Sequence, residues 1–176
     1  SDAPPLLLKA AKRLEPLDLD LARETYLSAW MAALFAGRLA GASDLDEVSR
    51  AARALPASRH PLRPVDLVLD GLARLVIDGP AAAAGTLRQA AHAFAGADIA
   101  VQDGLRWGWM AQAAASALWD DDLWRALLVQ QVRLARNSGA LHQFPTDLGA
   151  LGTNAAWSGD FAAAALLIAE ADAVCA

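Results

Sequence analysis

Residues that start helices recur along this chain at a fixed interval. Pro80, Asp120 and Asp160 each stand where a helical pattern begins, about 40 residues apart. Leu87, Leu127 and Leu167 occupy one position within the helices that follow, and Phe94, Leu134 and Val174 another. The alanine runs 81–84 and 162–165 fill matching first turns, where small side chains let helices approach closely. A chain repeating at this interval stacks short units that cannot bury their apolar faces alone. The interval exceeds the 34 residues of a standard tetratricopeptide repeat and lies near the HEAT and armadillo range.

Composition makes those units helical. Much of the 56% hydrophobic content is alanine, the best helix former, and Ile77, Ile99 and Ile168 are the only isoleucines. The punctuation separates about nine helical stretches. Pro4 and Pro5 open the first, and Pro16 stops it. Asp18 or Asp20 opens a long helix to about Leu39, with Leu27, Trp30, Met31, Leu34 and Phe35 on its apolar side. Ser43 suits the N-cap of a short helix ending near Leu55, and Pro56, Pro61 and Pro64 mark a loop. Helices then follow over about 65–77, 80–95, 99–118, 120–137 and 141–157, with the last from Asp160. The expected fold is all-α, a right-handed, tetratricopeptide-like solenoid of antiparallel helix pairs. Residues 1–176 form one domain, less regular over 1–55 and regular from about 64 onward. The abrupt Ser1-Asp2-Ala3-Pro4-Pro5 start, and a stop at Ala176 inside a helical pattern, read as a piece of a larger protein.

A net charge of −5 and a pI near 5 argue against a nucleic-acid surface, which needs a basic stripe. Cys175 is the only cysteine, which excludes an internal disulfide and fits a reducing cytoplasm. No apolar run reaches the roughly 18–20 residues of a membrane span, and no signal peptide is visible.

Catalytic and cofactor signatures do not emerge. Gly149, Gly152 and Gly159 lack the G-x-x-x-x-G-K-[ST] context of a phosphate loop. His60, His92 and His142 are scattered, without H-E-x-x-H spacing. Asp120-Asp121-Asp122 reads as a cap and dipole partner at a helix start rather than a cation site. Ser28, Ser116 and Ser158 have no G-x-S-x-G context. We therefore expect no enzyme, no metal and no cofactor within this segment.

Tryptophan is the unusual enrichment: Trp30, Trp107, Trp109, Trp119, Trp124 and Trp157. One reading makes them large fillers between alanine-rich helices, with Trp119 and Trp124 stapling the two helices around the aspartate turn. The other makes Trp107 and Trp109 an aromatic wall for a ligand or peptide, with Arg106 and Asp103 as polar contacts. Trp107 and Trp109 are two apart on a helix, so they face different ways.

Several stretches resemble the helical region of large bacterial LuxR-type regulators, the MalT-like ATPases of the STAND class. They are Leu14-Glu15-Pro16-Leu17, the run from Leu21 through Arg23, Glu24 and Tyr26 to Leu27, and Phe35-Ala36-Gly37-Arg38-Leu39. Leu105-Arg106-Trp107, Leu118-Trp119-Asp120-Asp121-Asp122 and Gly159-Asp160-Phe161 continue the likeness. In that family an ATPase module precedes a tetratricopeptide-like sensor, and a DNA-binding helix-turn-helix follows it. The resemblance implies that residues 1–176 belong to the sensor and arm, with ATP and DNA handled by parts not present. The expected function is a non-catalytic regulatory module that binds an effector, a protein partner or neighbouring domains, in the cytoplasm. The alternative is a free-standing peptide-binding scaffold.

Overall fold

The computed structural model describes residues 3–36, 43–56, 61–140 and 142–175. Among them are nine helices and no strand: α1 (Ala3–Leu14), α2 (Leu19–Ala36), α3 (Ser43–Arg53), α4 (Pro64–Asp78), α5 (Pro80–Ala95), α6 (Val101–Ala117), α7 (Asp121–Ser138), α8 (Phe144–Trp157) and α9 (Phe161–Cys175). The chain is all-α. No helix among the described residues is long and apolar enough to cross a membrane. Its contacts group into two compact units, 1–90 and 91–176, divided within α5 rather than at the proline-rich loop.

The helix boundaries follow local chemistry. Asp18 opens α2 by accepting the Leu21 N–H at 3.0 Å. Pro64 begins α4, because a first-turn residue needs no N–H for the helix ladder. Asp120 and Asp160 cap α7 and α9 by accepting the N–H groups of Leu123 and Ala163. The expected end of α2 at Leu39, the Leu141 start, His60 and the segment 57–60 lie outside the described residues.

In the first unit α2 packs on α1, α3 and α4. Its buried stripe runs through Arg23, Tyr26, Leu27, Trp30 and Ala33. Leu34 and Phe35, expected on the apolar side, are exposed, Phe35 at 73%. Phe35 falls on the far side of the helix, whereas Leu34 shares the face of the stripe one turn after Trp30 and is exposed in the last turn of α2. Buried polar groups lock this core. Trp30 Nε1 donates to Ser49 Oγ at 3.1 Å, and the Tyr26 hydroxyl donates to Glu15. Burial and the neighbouring Glu15 carboxylate both push the Tyr26 hydroxyl pKa upward.

The buried Arg23 donates from Nε to Asp66 at 3.0 Å and from Nη2 to Asp70 at 2.6 Å. Arg63 covers the rest of Asp66 with its backbone N–H, Nε and Nη2, and reaches Glu24 at 3.0 Å. Its guanidinium pKa is raised, chiefly by the Asp66 hydrogen bonds. Burial raises Asp70 more than Arg23 lowers it. The expectations from sequence contained none of this cluster.

Within the second unit α6 packs on α7, α7 on α8, and α8 on α9. Val132, Ala135, Phe144 and Leu148 form a buried cluster, against which Leu105, Leu151 and Leu167 pack. Glycines set the helix separation. A Cβ on Gly104 would lie 2.4 Å from Leu134 Cδ1, and one on Gly108 2.1 Å from Gln131 Oε1. Gly71 of α4 meets Leu87 of α5 in the same way, and Gly152 of α8 faces Ala164 and Leu167 of α9. Leu87 and Leu167 thus mark intra-pair contacts, and Leu127 is buried. In each alanine run one residue is buried, Ala83 in α5 and Ala164 in α9. Val174 departs from the series. It is exposed, whereas Phe94 and Leu134 are buried.

Candidate functional site

Each of the three repeated helix pairs turns on a residue with positive φ: Gly79 (86°), Trp119 (53°) and Gly159 (84°). The turns at 119 and 159 close alike. Trp119 N–H donates to the Ser116 carbonyl at 3.1 Å and Asp120 N–H to Ala115 at 3.4 Å. Gly159 and Asp160 donate equivalently to Ala156 and Ala155. This is the Schellman closure, whose left-handed residue is usually glycine because a Cβ there crowds the following carbonyl. Trp119 is the only non-glycine described with positive φ, and its side chain is 91% exposed. Packing therefore does not offset the strain. The indole does not staple α6 to α7, contrary to the sequence expectation.

Trp119 instead borders a cleft of about 290 Å³ within the second unit. Asp120 and Asp121 line it at the start of α7, followed by Trp124 one turn on. Asn154 and Trp157 reach it from the last turn of α8. The Trp124 and Trp157 rings lie 5.3 Å apart, tilted by 45°, within the range of favourable aromatic pairing. Trp157 is 75% exposed, so the pair presents an open indole surface.

Asn154 is only 5% exposed. Its backbone carbonyl accepts from the Ser158 amide and hydroxyl. Ser116 and Ser158 add hydroxyls at the rim. No residue lining the cleft is basic. The arrangement combines three indoles, two aspartates and a buried asparagine.

The four residues singled out from sequence lie elsewhere on α6, and none lines this cleft. Trp107 is 2% exposed and belongs to the core. Its indole N–H has no acceptor among the described residues. Arg106 is exposed and stacks over the Trp107 ring at 4.5 Å. Trp109 and Asp103 are half-buried. Trp107 and Trp109 do differ in environment, as their spacing requires. The missed signal was the 40-residue register itself, which aligns Trp119 with Gly79 and Gly159.

His92 on α5 and His142 in the turn before α8 are both exposed, and no group of three or more metal-ligating side chains gathers among the described residues. Asp147, at the start of α8, is pushed up to about 6 by burial, against a smaller downward pull from His142. Its Oδ2 and Gln143 Oε1 are buried without hydrogen-bond partners. Comparison with protein-family models, with curated proteins and with solved structures finds no match to this chain.

Proposed function

We propose that this chain is a non-catalytic regulatory module whose helix pairs stack as a right-handed solenoid and bind an effector, a protein partner or neighbouring domains. The observation that carries the reading is Trp119: a bulky, exposed side chain in a backbone conformation that the sister turn at Gly159 gives to glycine, at the mouth of an indole-lined cleft. Strain kept without compensating packing points to a binding role. The likeness to LuxR-type regulators supplies the setting, a cytoplasmic transcriptional regulator. ATP hydrolysis and DNA contact then belong to parts outside residues 1–176.

A second reading, a free-standing peptide-binding scaffold, is favoured by α9. Phe161, Leu166 and Ile168 expose large apolar surface there, and Ala164 is its one buried residue. Such a surface suits a protein partner. The reading frame on either side of residues 1–176 separates the two. A G-x-x-x-x-G-K-[ST] loop before it and a helix-turn-helix after it support the regulator, whereas a frame with neither, closing on a polar capping helix, supports the scaffold.

A further inference from the structure

We infer that the cleft between Trp119, Trp124 and Trp157 takes a small organic cation bearing a quaternary ammonium group. This deepens the effector reading and rests on the cleft being the binding site.

The indole face is the strongest aromatic partner for a cation, and quaternary ammonium groups are recognised by several such faces at once. Three indoles line this cleft, two of them paired at 5.3 Å. Asp120 and Asp121 bring two carboxylates to the same wall, and no basic side chain lines it. The start of α7 also lies here, with the equivalent of about half a positive charge. The capping Asp120 offsets that and Asp121 adds a further negative charge, so the local field favours a cation. An alkylated ammonium has no N–H to satisfy, so indole faces serve it better than hydrogen-bond acceptors do. The buried Asn154, which also lines the cleft, suits a hydroxyl or carbonyl carried on the cation.

The left-handed backbone at Trp119 explains why the third wall exists. Glycine at this position, as at Gly159, would close the same turn with less strain but leave the cleft open on one side. Trp119→Gly thus separates folding from binding, since it relieves the turn and removes an indole.

The experiment is a tryptophan-fluorescence titration of the whole chain with tetramethylammonium and with choline, at matched ionic strength. The uncharged choline isostere 3,3-dimethyl-1-butanol serves as the control. We expect saturable quenching by both cations, at least about tenfold weaker in Trp119→Gly and several-fold weaker in Asp121→Asn. The isostere should bind at least about tenfold more weakly than choline. A higher melting temperature for Trp119→Gly shows that the variant is folded. Absence of saturation with either cation overturns the inference, as does a cation response that Trp119→Gly leaves unchanged. Isostere binding as tight as choline, lost in Trp119→Gly, overturns the cation while leaving the effector reading intact. Binding of none of the three probes, with the α9 surface binding a peptide, overturns both.

Discussion

Helices α1–α4 and helices α6–α9 are built from similar alanine-rich stretches, yet they set their packing by different means. In the first region α2 is tied to α4 by the buried Arg23, which holds Asp66 and Asp70 while Arg63 completes Asp66. In the second region no comparable buried ion pair is present among the described residues. Leu134 and Gln131 instead settle over Gly104 and Gly108. The difference teaches how a low-contrast sequence obtains one register. Alanine faces bury similar area at several rotations, so area alone selects weakly among them. A guanidinium fork facing carboxylates is directional, and a side chain seated over a glycine is steric; each penalises the wrong rotation. The α4–α5 pair, with Gly71 under Leu87, already uses the steric mode.

Breaking the charge mode should cost most. Arg23→Ala leaves Asp66 and Asp70 buried with less compensation, and we expect a loss of about 3 kcal/mol in urea unfolding. Arg136→Ala, which removes the exposed 2.6 Å pair with Glu170 in the second region, should cost no more than about 0.5 kcal/mol. Equal losses would show that Arg23 carries no special burden.

Filling the steric mode comes next. Gly108→Val drives side-chain atoms into Gln131 on the buried α6–α7 contact and should cost about 2 kcal/mol. The same change at Gly149, where a Cβ meets nothing within 4 Å, should cost no more than about 1 kcal/mol. A small loss at both positions would mean that the helix pair relaxes and that glycine does not set its separation.

The smallest effect sharpens the comparison through pH. Asp147 is a half-buried carboxyl of the second region, and among the described residues no arginine pairs with it as Arg23 and Arg63 pair with Asp66. Its folded pKa, about 6, is above the ordinary carboxylate value, so the folded state holds the proton more tightly. Its contribution is complete below the unfolded pKa, near 4, and is lost as pH rises through about 6. After allowing for partial exposure we expect about 1 kcal/mol lost across that window, read by chemical unfolding at several pH values. Asp147→Asn should flatten this part of the profile and exceed the parent in stability at neutral pH. An unchanged profile in Asp147→Asn would assign the pH dependence to other groups.

Helix starts and the 40-residue register were legible because they rest on local rules. Asp120 and Asp160 cap their helices through their own side chains, and Pro64 and Pro80 sit where an absent N–H does no harm. The salt-bridge cluster was legible in principle. Arg23 lies on the same stripe as Tyr26, Leu27 and Trp30, and Asp66 belongs to the buried part of α4. What could not be read was which charge each would meet, since the partners are 43 and 47 residues apart. The tryptophans divide the same way. Spacing correctly separated Trp107 from Trp109, but it could not say that Trp107 fills the core while Trp119 stands in solvent.

By itself, then, the sequence determined the helical class, most helix limits and the interval of the repeat, because propensity, caps and proline geometry act within a turn or two of the chain. Tertiary structure alone decided that Trp124 meets Trp157 and that Asn154 is buried beside them. It also decided that the turn at 119 forces a tryptophan into the backbone conformation of a glycine. Those outcomes depend on residues brought together from separate helices, where packing and closure geometry override what any local stretch prefers.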